Sequence, residues 1–227
     1  MSTSPQLQRS ILPLENGDCL TRDEFERRYR AMPQLKKAEL IAGIVYMASP
    51  LRLTQHGQPH AQMMTWLGVY HAMTKGVLIG DNTTVRLDLE NEPQPDAILM
   101  IDPQRGGQAN ISEDGYIEGA PELVVEVASS SASYDLHQKL QVYCQNGVLE
   151  YIVWLVYEQQ IRWFRLEAGE YLPIEPNQQG VIESQVFPGL WLAVSSLIVG
   201  DLAEVLAVLQ QGLASKEHQQ FIDRLNQ

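Results

Sequence analysis

Apolar positions along this chain change their period several times, and each change marks an element. Between residues 122 and 128, Leu123, Val125 and Val127 fall on one side, and Glu122, Val124, Glu126 and Ala128 on the other. That is the two-residue period of a strand. Residues 37–48 read as two short strands turning near Ala42-Gly43, and further β-rich runs cover 76–88, 96–101 and 149–157. A hairpin is expected from Ile161–Phe164 and Glu170–Ile174. Elsewhere the period is helical. Met63, Trp66, Leu67 and Tyr70 recur at steps of three and four, so a helix runs from Pro59, a residue suited to a first turn, to about Met73. Thr21 and Glu24 have capping-box spacing and start a helix that reaches about Arg30. Residues 133–146 form another, closed by Gly147 as its C-cap, and a last helix begins near Leu202. Residues 49–58 read as a loop. So does 103–119, which carries four glycines. Residues 1–20 read as a loose polar arm and 21–227 as one domain with no linker. Strands before, between and after helices predict an α/β fold with a mixed sheet covered on both faces.

One run breaks its own pattern. Glu126 sits among apolar neighbours, whereas Glu122 lies at the strand's mouth. A carboxylate is costly in such a place unless something pairs with it. The following helix offers a partner: at about 100° per residue, Leu136, Leu140, Tyr143 and Cys144 form an apolar arc opposite Gln138, Gln141 and Gln145. Lys139 lies at the edge of that arc, turned toward the sheet. A plain Lys139–Glu126 ion pair, or a lysine snorkelling along the apolar face, accounts for this pattern. A divalent cation shared with a further acid accounts for it too. Asp96, after Pro95, is that acid, although Pro-Asp alone is a common turn entry.

Composition narrows the classes. The chain has 227 residues, 44% hydrophobic and 19% charged, which is enough for one substantial core. No apolar run is long enough for a membrane span, the polar N-terminus lacks a signal-peptide core, and Cys19 and Cys144 have no close cysteine neighbour, so a cytoplasmic protein with reduced thiols is expected. The net charge of −12 opposes tight nonspecific binding to nucleic acid. The basic residues cluster at Arg22, Arg27, Arg28, Arg30, Lys36 and Lys37, either as a local basic patch or as one side of a solvated helix. Gly106-Gly107 is followed by no Lys-Ser/Thr and is no phosphate cradle. The serines at 129, 130, 131 and 133 have no His/Asp pattern that would support a nucleophile.

Taken together, Gln94-Pro95-Asp96, Gly119-Ala-Pro-Glu-Leu-Val-Val-Glu126-Val-Ala-Ser129, Asp135, Lys139, Tyr143 and Asn146-Gly-Val-Leu-Glu-Tyr-Ile-Val-Trp154 resemble the Uma-two family. This is a group of restriction-endonuclease-like proteins of the PD-(D/E)xK nuclease superfamily. Upstream, Glu39-Leu-Ile-Ala-Gly-Ile-Val-Tyr-Met-Ala-Ser-Pro50 and a histidine opening the next helix look similar too, so the resemblance spans roughly residues 20 to 195. It implies a restriction-endonuclease-like mixed central sheet of four or five strands flanked by helices, here with an added β-hairpin and C-terminal helix. It implies that Asp96 and Glu126 bind Mg²⁺ (or Mn²⁺), that Lys139 stabilises developing negative charge or orients the attacking water, and that Glu39 completes the acidic cluster; His60 matches the family's histidine position better than His56, and either histidine alternatively caps or packs the helix. The superfamily's usual strand lysine, two residues after the acid, is replaced here by Ala128, and Lys139 on the helix takes its place. The implied activity is metal-dependent phosphodiester hydrolysis, with DNA as the nucleic-acid partner. The alternatives are a catalytically inactive nuclease-fold protein with a binding or regulatory role, or a hydrolase of smaller phosphate esters. A homodimer is a candidate assembly, with Leu202, Val205, Leu206 and Leu209 either at its interface or packed on the sheet.

Overall fold

The computed structural model describes residues 11–48, 50–129 and 131–227. The chain opens with helix α1 (Arg22–Arg30) and the strands β1 (Ala38–Ile41) and β2 (Ile44–Met47). Ala42 and Gly43 adopt φ of 51° and 74°, the left-handed pair that suits a two-residue hairpin turn. Thr21 does stand at the N-cap of α1, but its side chain makes no cap hydrogen bond. Glu24 turns instead to Arg27 and Arg28, at 2.7 and 2.6 Å, so the expected capping box does not close. Residues 1–10 of the expected arm lie outside the described residues. Further along it, Leu14 is buried with Phe25, Leu40 and Val45, and Gly17, Asp18 and Leu20 exchange backbone hydrogen bonds with the hairpin.

A π-helical turn at Leu53–Gly57 leads into α2 (Gln58–Met73) where the sequence reads as a loop. There follow β3 (Val77–Asp81), β4 (Val85–Arg86), β5 (Ala97–Ile101), β6 (Asn110–Ile111), β7 (Ile117–Glu118) and β8 (Leu123–Ala128). The next helix comes in three parts: α3 (Ala132–Tyr134), a π-helical turn at Asp135–Lys139, and α4 (Leu140–Asn146), which ends at Gly147 with φ 84°. The remainder is β9 (Glu150–Leu155), β10 (Gln160–Glu167), β11 (Glu170–Pro173), β12 (Val181–Glu183), β13 (Trp191–Ala193), α5 (Val194–Ile198), α6 (Leu202–Leu213) and α7 (Lys216–Leu225).

The central sheet is mixed and six-stranded, in the order β11-β10-β9-β8-β5-β3. Among the described residues of this sheet only β8 and β9 pair in parallel, and the helical crossover between them is long enough to return the chain in the same direction. The sheet exceeds four or five strands because the hairpin β10–β11 continues onto β9. Alternation along β8 holds. Leu123 and Val125 enter a core with Trp66, Tyr70, Trp154 and Leu209, while Val124 and Ala128 face Tyr143 and Tyr151. Glu126 shares this second face, beneath α4. The 103–119 stretch is more than a surface loop. It contributes β6 and β7, which join β4 in a small sheet, and its Ala109 and Ile117 are buried. Val205 and Leu209 of α6 are core residues, with Leu202 and Leu206 packed against them, so the C-terminal helix spends its apolar stripe inside the fold.

Candidate functional site

The β5–β8 register pairs Ala97 with Val125, so Asp96 comes opposite Glu126 one step beyond the ladder. Asp96 is 4% exposed. Its Oδ2 accepts the Val127 amide at 2.8 Å and faces His56 Nε2 at 3.2 Å, and its Oδ1 lies 3.4 Å from Lys37 Nζ. Burial alone would favour the protonated acid. His56, Lys37 and the Val127 amide outweigh it and hold the carboxyl well below the usual carboxylate range.

Glu126 is treated differently. Its Oε1 accepts from Lys139 Nζ at 2.8 Å and from the Tyr143 hydroxyl at 2.9 Å. The same amine donates to Glu39 Oε1 at 2.8 Å, and Asp135 Oδ1 lies 3.9 Å away. Glu39 is fixed in turn by the Gln94 amide at 2.7 Å. Burial pushes the Glu126 carboxyl up to about 8. Lys139 pulls it down, but Asp135, Asp96 and Glu39 add to the rise. Burial also disfavours the Lys139 ammonium, yet Glu126, Glu39 and Asp135 together hold that amine well above the ordinary lysine range.

Lys37, Glu39, His56, Asp96, Glu126, Asp135 and Lys139 line one cavity of about 740 Å³. Asp96, Glu126, Lys139 and Glu39, the four residues nominated from the sequence, all border it. Lys139 bonds Glu126 and Glu39, while Asp96 is served by Lys37 and His56 instead. The expected His60 stands outside the ring of carboxylates, with its Nε2 on the Asp96 backbone carbonyl at 3.0 Å and Asp81 at 3.1 Å. His56 is the histidine at the Asp96 carboxylate. Glu122 is as buried as Glu126, at 2%, but the Ile101 and Gln108 amides satisfy it at 2.9 Å each. Ala128 packs among apolar side chains, and the amine that meets the strand acid comes from the helix. Sequence reasoning did not assign Lys37, Tyr134 and Asp135 to the site. Asp135 had a signal, since it precedes Lys139 by four. Lys37 had none, because its partner lies on another element. Among the described residues, no three His, Cys, Asp or Glu side chains are grouped as a ready-made metal centre.

A six-stranded mixed sheet with helices on both faces, and a polar cavity at the end of its parallel pair, is the architecture of restriction-endonuclease-like nucleases. The fold matches the crystal structure of a protein described as a "putative nuclease belonging to DUF820" from Anabaena variabilis ATCC 29413, with a TM-score of 0.54 and 11% identity, covering 81% of this chain and 97% of that one. Residues 22–195 match the Uma2 family, described as "Putative restriction endonuclease", and the chain belongs to that family. No curated protein matches it significantly.

Proposed function

We propose that this chain is a metal-dependent endonuclease that hydrolyses phosphodiester bonds in DNA, with Mg²⁺ (or Mn²⁺) as its cofactor. One observation carries the reading: Asp96 and Glu126, from neighbouring strands, border the same cavity as a Lys139 amine 2.8 Å from Glu126. The donor set fits a hard cation. Glu39, Asp96, Glu126 and Asp135 stand against Lys37, Lys139 and His56 at the cavity, and the upward shift of Glu126 comes first from burial and then from the neighbouring acids. Mg²⁺ is commonly held by one or two carboxylates, with water and phosphate oxygens completing its shell, so Asp96 and Glu126 suffice as side-chain ligands. A cation bound there supplies a more acidic water and a polarised phosphoryl oxygen.

The chain's own residues have separable roles in this reading. His56 and the Val127 amide keep Asp96 ionised and aimed. Tyr143 and Lys139 orient Glu126, and Glu39 holds the Lys139 amine beside the position where phosphate charge grows, which is where a preorganised cation is most effective. Family membership and the nuclease fold support the same conclusion. The test is incubation of plasmid DNA with the protein and Mg²⁺ or Mn²⁺. Nicking is expected, and both Glu126→Ala and Asp96→Ala should reduce it by at least about 100-fold, the scale of losing one transition-state contact. Nicking that persists unchanged in Glu126→Ala would refute the assignment. The alternative, a nuclease fold that binds without cutting, is favoured by the double engagement of Lys139 with Glu39 and Glu126. It predicts DNA binding with no metal-dependent nicking.

A further inference from the structure

The mouth of the cavity differs in chemistry from its floor. Tyr46 and Tyr134 border it with their rings 4.3 Å apart. The Tyr46 hydroxyl is pinned to Gln138 Oε1 at 2.7 Å, and the Lys139 amine lies 5.5 Å from the Tyr134 ring centre. An aromatic wall therefore runs from the lysine through Tyr134 to Tyr46. Tyr157, just past the end of β9, borders the cavity with 59% of its surface exposed, and Leu51 does so at 66%. Large apolar side chains gathered at the rim of a polar cavity indicate a surface that a ligand covers.

The floor limits what the ligand is. Asp96 and Glu126 are each 4% exposed, so a reacting phosphate must enter the cavity to meet them. A duplex presents its phosphates on a rigid outer rail and is held chiefly by neutralising them. Here Lys37, Arg52 and Lys139 are the cavity's lysines and arginines, Lys139 is already bonded to two carboxylates, and the whole chain carries −12. Little phosphate neutralisation is on offer. Unpaired strands bind by another route, stacking successive bases on aromatic side chains.

We infer that the cavity takes an unpaired nucleic-acid strand, its bases stacked on the tyrosines of the mouth and its backbone descending to Asp96 and Glu126, in preference to intact duplex. The inference rests on the nuclease reading and specifies its substrate class. Its test separates binding from cutting. Binding of a fluorescent single-stranded 12-mer, and of the blunt duplex of the same sequence, is measured by anisotropy with the Glu126→Gln protein. Cleavage of both is measured with the unsubstituted protein and Mg²⁺. The single strand is expected to bind at least about tenfold tighter. Tyr157→Ala, added to Glu126→Gln, should weaken that binding roughly 5- to 150-fold, the measured range for one lost stack, and Tyr157→Trp should retain it. Tyr157 is exposed enough that its loss leaves folding untouched. Duplex bound as tightly as single strand, or a Tyr157→Ala protein with unchanged affinity, would overturn the inference. Equal cutting of both substrates would overturn it too while leaving the nuclease reading intact. Strand-selective binding with no cutting would support it and refute catalysis.

Discussion

Several acids of this protein are buried, and their partners distinguish them more than their burial does. Glu122 is satisfied by two backbone amides. Glu150 takes Ser184, Trp163 and the amides of Gln185 and Val186. These are fixed neutral donors, and both residues read as structural. Asp96 and Glu126 depend on titratable or cationic side chains and open onto a cavity, which is the arrangement that chemistry needs. Glu92 belongs to neither group. It is 3% exposed, its Oε2 has no hydrogen-bond partner, and its nearest cation, Arg86 Nε, lies 4.0 Å away. Burial and the neighbouring Glu26 push its carboxyl up to about 8 from an ordinary 4.5. The folded state therefore keeps a proton that the unfolded chain has lost. The stability tied to that proton is fully present below about pH 4.5 and lost as pH rises through about 8. Glu92→Gln should remove this slope. Arg86 stays paired with Glu26, Asp114 and Glu118, so the variant should match the parent at pH 5 and exceed it by about 1–3 kcal/mol at pH 9 in urea denaturation. A variant less stable at pH 9 would mean that Glu92 is an ionised partner of Arg86.

The two helices that serve the site share a local irregularity. His56 lies in the π-helical turn at Leu53–Gly57, and Asp135 and Lys139 bound the one at Asp135–Lys139. Such turns widen the helix locally and recur at functional sites. Within the second, Asp135 and Lys139 are both buried, at 2% and 3%, while His137 and Gln138 between them are exposed. Inserting one alanine between His137 and Gln138 adds a residue to the turn and rotates Asp135 and Lys139 by about 100° relative to one another. Helix content by circular dichroism should stay unchanged while plasmid nicking falls at least about 100-fold. Unchanged nicking would show that the wide turn does not position the lysine. The same feature marks the limit of sequence reading. Strand alternation located Glu126, and helical projection turned Lys139 toward the sheet, because both follow from a fixed period. A π turn changes the period without a compositional signal. The backbone donors of Glu122 and the approach of Lys37 and His56 to Asp96 come from distant segments, which no local pattern records.

The charge of the molecule bears on how any strand is held. Of the two readings of the α1 arginines, a basic patch or one side of a solvated helix, the ion pairs favour the second: Arg27 and Arg28 pair with Glu24, Arg30 with Glu26, and Arg22 with Glu26 at 3.5 Å. Lys37, the last of that cluster, turns inward to Asp96. The four arginines are therefore paired with acids of their own helix, and Lys36 is the exposed cation of the cluster. What is left at the cavity is Lys37, Arg52 and a shared Lys139, so a bound strand meets two or three cations. For single strands, affinity falls with salt by about 0.7 in log units per neutralised phosphate. Two or three contacts give a slope of log K against log salt near −1.5 to −2, far shallower than that of proteins making six to ten phosphate contacts. Anisotropy titrations of a single-stranded 12-mer at a series of NaCl concentrations should return that shallow slope. Arg52→Gln, at an exposed cavity residue, should reduce it by about 0.7 without changing the stability of the fold. A slope of −4 or steeper would require a cationic surface away from the cavity, and would make phosphate neutralisation, rather than stacking on Tyr46, Tyr134 and Tyr157, the main source of affinity.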